Sequence, residues 1–294
     1  MSKQSLKEML QDTSDCSIKV GDQGVCSSPE MVRDIKKKVL EPAGVISGNA
    51  KDTVEKAMDV VGVESEGKLL EHPDVKSKIG TGKVNRELDN NFNRATSASD
   101  PVRAELLDNF DIDDTLTYWA THSKKVFGKK FKHIPFQMID FERVGSELAR
   151  TSVADLICQG YSCFGCVLNT DYSSGGGKHW FCIYGDLEHA GTQNDPYRLE
   201  YFNSSGKRVE RLPEVDTWLE KSKAEIMVDK RLKKYCEIVP VAPKTLQFSR
   251  TECGVWSLMY IKGRLQGLPC NWFYEAGVTD DDIKKLREHI FRKP

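Results

Sequence analysis

No stretch of this chain approaches the ~20 consecutive apolar residues that a membrane-spanning helix needs. The opening residues, MSKQSLKEMLQDTSD, lack the apolar centre of a secretory leader. Neither charge sign prevails, with 43 Lys and Arg against 44 Asp and Glu and a formal net charge of −1. Binding to nucleic acid by bulk electrostatics needs a basic excess or a basic face, so that class is disfavoured. Nine cysteines without an export signal point to free thiols in a reducing compartment rather than a disulfide framework. With 294 residues, 39% apolar and 30% charged, the chain reads as a soluble intracellular globular protein of one or two domains.

Large aromatics are nearly missing from one third of the chain. Of 12 Phe, 5 Trp and 9 Tyr, only Phe92 falls within residues 1–100. Aromatics dominate most compact cores, so this region packs a thin core of Val, Leu, Ile and Met or leans on a neighbour; little core of its own is expected. A boundary is placed in the polar stretch Asn93–Asp100, giving a helical N-terminal arm (1–100) and a second domain (101–294). In the arm, Ser28-Pro29-Glu30 reads as a helix start, with the stripe Met31, Ile35, Val39 and Leu40 behind it. Ala50–Val61 repeats the pattern and Gly62 stops it.

The second domain mixes strands and helices. Asp111 or Asp113 is expected to cap a helix through Ile112, Leu116 and Trp119 that ends near Gly128. Strands are expected at Phe136–Ile139, Phe164–Asn169, Trp180–Tyr184, Arg198–Asn203 and Tyr235–Val241. Helices are expected from about Pro213 to Met227, from Cys253 to about Gln266, and from Asp280 to about Phe291. Thr279 is the expected cap of the last one, with Asp282 three residues on. The class is α+β, with a small and mostly consecutive sheet.

Three segments carry the chemistry: GGGKHW (175–180), EYFNSSG (200–206) and QFSRTECGVW (247–256). Cys253-Gly254 opens an apolar helix, where the positive end of the helix dipole favours a thiolate. His179 opens a strand after a glycine run, expected to be a flexible entry. Asn203 closes a strand 24 residues later, so the two ends could meet across neighbouring strands. There Asn203 would accept the Nδ1–H of His179 and turn Nε2 to the thiol, with His179 and Cys253 titrating as a thiolate–imidazolium couple. Gln247, six residues before the cysteine, can join the Cys253 N–H as an oxyanion hole. Trp180 is expected to pack beside the imidazole, and Asn169 is a lesser candidate for contact with substrate. Singly each has a bland reading: a buried thiol, a structural histidine, a turn at Asn-Ser-Ser-Gly and a solvated glutamine. Their coincidence on strand ends and a helix start raises the catalytic reading.

Other constellations are weaker. Cys158, Cys163 and Cys166, with Cys182 as a fourth, show an iron–sulfur-like spacing. Residues three apart on a strand point to opposite faces, however. The Gly175–Gly177 run is followed by His and a strand, not by the Ser/Thr and helix of a phosphate loop.

The order His, Asn, Gln, Cys resembles the superfamily of adenovirus proteinase and the SUMO-specific proteases. Longer stretches resemble the polyprotein proteases of African swine fever virus and other large DNA viruses. They run from Asn109 to Arg292: NFDIDDTLTYWA (109–120), MIDFERV (138–144), FGCVLNTDYSSGGGKHW (164–180), EYFNSSG, TECG (251–254) and TDDDIKKLREHIFR (279–292). The resemblance implies a central mixed sheet flanked by helices, with His179, Asn203 and Cys253 as triad and Gln247 in the oxyanion hole. It also implies cleavage of viral polyproteins after Gly-Gly during virion maturation, in host cytoplasm at assembly sites and in the virion. No metal, organic cofactor, membrane or nucleic acid is required. The alternatives are a ubiquitin-like-modifier protease or deubiquitinase of the same fold, and a non-catalytic interaction module. All four chemical positions hold competent residue types, which disfavours the latter.

Overall fold

The structure, a computed structural model, describes residues 25–92, 106–241, 244–287 and 290–291. The expected boundary at Asn93–Asp100 lies outside the described residues. Two compact units emerge, one spanning 106–284 and the other 25–92 together with 285–291.

The smaller unit is helical. In α1 (Pro29–Ile35) the Ser28 hydroxyl accepts the Met31 N–H at 3.2 Å, with Pro29 in the first turn. The expected continuation to Leu40 is a wider π turn over Lys36–Leu40. Asn49 caps α2 (Ala50–Val61), and Gly62 ends it at φ 77°. Three short helices follow: α3 (Glu66–Glu71), α4 (Pro73–Ile79) and α5 (Thr81–Asn91). Met31, Ile35, Leu69, Leu70, Val84, Leu88 and Phe92 join in a core of the unit's own. The expectation of little core is thus corrected, because interlocking aliphatics fill the volume that aromatics would otherwise take. Glu66 also accepts the N–H groups of Cys26 and Ser27, both at 2.8 Å. Cys26 is disulfide-bonded, which corrects the expectation of free thiols at that position. Composition speaks for the average thiol and not for one pair.

The larger unit begins with α6 (Asn109–Val126). Its cap is Asp108, which accepts the Asp111 N–H at 2.8 Å while Asp111 accepts from Asp108 in return. The expected caps, Asp111 and Asp113, lie inside the helix. Asp113 instead accepts the Phe136 N–H at 2.7 Å. Next come β1 (Phe131–His133), β2 (Gln137–Met138), and the short helices α7 (Phe141–Val144), α8 (Glu147–Arg150) and α9 (Val153–Cys158). Then follow β3 (Cys163–Asn169), β4 (Trp180–Asp186), β5 (Tyr197–Phe202), α10 (Pro213–Val228) and β6 (Cys236–Pro240). The chain ends with α11 (Cys253–Leu265), α12 (Trp272–Glu275) and α13 (Asp280–Arg287). The Thr279–Asp282 capping pair is in place, with the hydroxyl donating to the carboxylate at 2.8 Å.

The six-stranded sheet runs β1-β3-β4-β5-β6, with β2 beside the far end of β3. β3, β4 and β5 pair antiparallel, whereas β1, β2 and β6 are parallel to their neighbours, so the sheet is mixed. Alternate residues divide between its two faces. Phe164, Cys166, Leu168, Phe181, Ile183, Leu199 and Tyr201 pack with Leu148, Val153 and Trp218 from α8, α9 and α10. The opposite face takes α11, where Phe202 stacks on Tyr260 with centroids 4.3 Å apart. Gly165 makes room there, since a Cβ would lie 3.1 Å from Phe131 and 3.3 Å from Ile261. Inside this layer Glu200 accepts from Tyr260 at 2.6 Å and from Arg264 at 2.9 Å, and Arg264 also reaches Asp186.

Candidate active site

Cys253 is the first residue of α11, and no side chain caps that helix. The first N–H groups of a helix lack internal partners and carry its positive pole. Three backbone N–H groups pull the thiol pKa down, in order those of Trp180 from β4, Gly254 and Cys253 itself. Burial is nevertheless the largest influence and holds the thiol above its ordinary pKa, against the pull of these three donors. Gly254 permits the approach, because a Cβ there would sit 3.2 Å from Leu107 and 3.4 Å from Cδ1 of Trp180.

The strand explains why Trp180 offers its N–H. At the end of the β3–β4 ladder Thr170 N–H donates to the His179 carbonyl at 2.9 Å, so the His179 backbone faces β3. Backbone groups alternate sides along a strand, so those of Trp180 face the other way. β5 pairs with β4 only from Cys182 opposite Phe202 onward, and the Trp180 amide lies past that point. The Trp180 indole donates to the Leu107 carbonyl at 3.2 Å and meets Phe136 edge-on at 6.0 Å.

His179 Nε2 and Asn203 Oδ1 are 2.8 Å apart. Oδ1 also accepts the Ser205 N–H at 3.1 Å and the Ser205 hydroxyl at 2.7 Å. A backbone N–H only donates, so the Asn203 atom facing it is the oxygen. Asn203 Nδ2 donates to the Tyr201 hydroxyl at 2.9 Å, which in turn donates to the Lys207 carbonyl at 2.9 Å. An oxygen acceptor requires that His179 Nε2 carry the hydrogen, leaving the lone pair on Nδ1. This reverses the expected use of the two nitrogens. Residue spacing does not reveal which ring nitrogen meets the turn beyond β5.

Burial lowers the His179 pKa below its ordinary value; the Asn203 bond pulls it back up, and the Lys207 charge adds to the lowering. Desolvation thus works against charge on both groups.

Gln247 is buried beside the Asn203 turn. Its Oε1 accepts from the Ser204 hydroxyl at 2.7 Å, its Nε2 donates to the Ser249 carbonyl at 2.9 Å, and its backbone N–H donates to the Ser204 carbonyl at 2.9 Å. Asn169 is also buried, and its Oδ1 accepts the N–H groups of Asp171 and Lys178 at 3.0 and 2.9 Å. These bonds close the loop before His179. That loop is pinned rather than flexible. Asp171 accepts from Tyr172, Gly177 and Lys178, and Asp140 accepts from both the N–H and the hydroxyl of Ser173.

The remaining cysteines of this unit are packing or surface groups. Burial pushes the Cys163 and Cys236 thiols up to about 12 and raises Cys166 and Cys182 well above the ordinary range. Cys158 is exposed. Among the described residues no three His, Cys, Asp or Glu side chains converge on a metal position.

Tyr201, Ser204, Ser205 and the Trp180 amide also take part in the site, and sequence reasoning does not single them out for it. Asn-Ser-Ser-Gly carries the only usable signal, since Asn and Ser in a turn after a strand often bond back to the backbone.

No protein-family model matches the chain. Over 250 residues it is 33% identical to the SUMO-1 cysteine protease of African swine fever virus (isolate Warthog/Namibia/Wart80/1980), a match covering 80% of this chain and 85% of that one. The cysteine protease of the same virus, strain Badajoz 1971 Vero-adapted, gives the same figures. A crystal structure of the African swine fever virus protease superposes with a TM-score of 0.71 at 26% identity, covering 96% of this chain and 97% of the other. With a buried cysteine at a helix start, a histidine bonded to Asn203 at the entry to β4 and these relatives, the chain belongs to the cysteine protease family of the African swine fever virus enzyme.

Proposed function

We propose that the protein is an endopeptidase that cuts viral structural polyproteins after Gly-Gly during virion maturation, acting in host cytoplasm at assembly sites and in the virion. One observation carries the catalytic part. The Trp180 N–H pulls the Cys253 thiol toward its charged form, and Trp180 directly follows His179, which is bonded to Asn203 at 2.8 Å. In the reaction His179 Nδ1 takes the Sγ proton as sulfur attacks the peptide carbonyl. The oxyanion is held by the Cys253 N–H and by Gln247 Nε2, which donates to the Ser249 carbonyl at 2.9 Å and gives up only its long 3.5 Å contact with the Ser249 hydroxyl. His179 then protonates the leaving amine, and water hydrolyses the thioester by the same route in reverse. Asn203 stabilises the imidazolium formed between the two proton transfers.

Family membership and the matching stretches around the site support a viral polyprotein as substrate. Glycines at the scissile end suit a buried thiol, since a chain without Cβ atoms threads a narrow approach. The test is digestion of a viral structural polyprotein and of a modifier-tailed reporter side by side, with cleavage sites read by mass spectrometry. Cuts after Gly-Gly in the polyprotein at higher kcat/KM are expected. Faster cutting of the reporter would instead assign the enzyme to modifier processing. Fractionation of infected cells and purified virions, probed for this chain, tests the location.

A further inference from the structure

We propose that Asp280 is a positioning residue for the oxyanion donor Gln247; the proposal rests on the role given to Gln247 above. Asp280 lies in the TDDDIKK stretch, to which the mechanism assigns no task. Phe248, next to Gln247, is 83% exposed, so packing of its side chain does not hold this segment in place. Hydrogen bonds do. The backbone N–H groups of Phe248 and Ser249 both donate to Asp280 Oδ2 at 2.7 Å. Asp280 Oδ1 accepts the indole N–H of Trp256 at 2.9 Å. Trp256 is fully buried on α11, three residues beyond Cys253.

One carboxylate therefore ties the loop carrying Gln247 to the helix carrying the nucleophile. The tie reaches the glutamine amide directly, because the Ser249 carbonyl accepts from Gln247 Nε2 at 2.9 Å. The other end of that amide is fixed by the Ser204 hydroxyl at 2.7 Å. Asp280 is itself well placed, at the first turn of a helix that Thr279 and Asp282 cap reciprocally. A carboxylate is the group that fits, since all three of its partners are N–H donors. An asparagine would turn its own N–H₂ toward either the loop or Trp256 and sever one side of the tie.

The experiment compares wild type, Asp280→Asn, Gln247→Ala and the double variant. It reads kcat and KM on a Gly-Gly peptide, the thermal midpoint, and iodoacetamide modification of Cys253 followed by mass spectrometry. Asp280→Asn is expected to lower kcat about tenfold to a hundredfold, below the ~10²–10³ of losing a donor outright. KM and the alkylation rate, neither of which needs the oxyanion hole, stay within about threefold of wild type. In the Gln247→Ala background the same change is expected to cost nothing further, because it acts through that amide. Unchanged kcat in Asp280→Asn, or an equal loss in both backgrounds, overturns the proposal. If Gln247→Ala itself leaves kcat intact, the failure lies with the oxyanion assignment and not with Asp280. Should Asp280→Asn fold poorly, Trp256→Phe cuts only the helix side of the tie and is expected to show the same kcat-selective loss; unchanged kcat there overturns the proposal equally.

Discussion

The hydroxyl of Tyr201 accepts the Asn203 side-chain N–H and passes its own hydrogen to the Lys207 carbonyl, so the Asn203 oxygen is the atom left to face His179. A buried tyrosine of β5 thus fixes the tautomer of the histidine just before β4. Removing that hydroxyl leaves a buried amide N–H without its acceptor, a cost of ~1–3 kcal/mol. Tyr201→Phe is expected to lower the thermal midpoint and reduce kcat several-fold with little change in KM. Wild-type kcat in a destabilised variant would show that Tyr201 serves stability alone.

The pH profile follows from the lowered His179 pKa. The base must be unprotonated, so the acid limb of kcat/KM is expected below 6.5, the ordinary value. Lys207 contributes to the lowering, and its neutralisation should move the limb upward. Profiles of wild type and Lys207→Gln check the sign: a limb that moves down, or stays put, contradicts the assignment.

Gly175 faces the Asp171 carboxylate so closely that a Cβ would lie 2.2 Å from Oδ2. The carboxylate organises the loop that delivers His179, so Gly175→Ala should displace the base. A shift of about 1 Å in such a group costs up to ~10²-fold. A drop of at least about tenfold in kcat/KM is expected, with faster limited proteolysis within 170–178. Unaltered kinetics would mean that the loop does not govern the histidine.

Arg264 is the counter-charge of Glu200, a carboxylate buried beneath α11. Arg264→Ala leaves that charge without its partner, which typically costs ~3–5 kcal/mol. Urea denaturation should show a loss of this size, partly restored by adding Glu200→Gln. A loss under about 1 kcal/mol would mean that water or rearrangement compensates the carboxylate.

Much of this fold is legible because its signals are local. Ser28 before Pro29, Gly62 after a helical stripe, and Thr279 three residues before Asp282 act within one turn. β3, β4 and β5 announce themselves by length and apolar content. The strand Phe131–His133 and the helices between 141 and 158 escape such reading, being too short to establish a period. In DNFDIDD the aspartates crowd together, so the sequence points to Asp111 or Asp113, and only the reciprocal bond with Asp111 singles out Asp108. The same limit applies at the site. His179, Asn203, Gln247 and Cys253 stand out by residue type and order, and the structure seats His179 against Asn203 and Gln247 beside its turn. Which imidazole nitrogen faces Asn203 depends on a reach across strands. The role of the Trp180 amide depends on where β5 stops, and that of Asp280 on a contact 31 residues away in sequence.

The claim on which the mechanism turns is that Cys253 becomes acylated. An acid quench of the enzyme with a Gly-Gly peptide ester, followed by intact-mass and fragment analysis, tests it directly. The account predicts a thioester on Cys253 bearing the acyl portion of the peptide, labile to hydroxylamine and absent from Cys253→Ala. Acylation of a different residue, or turnover in Cys253→Ala above about 1% of wild type, would contradict it.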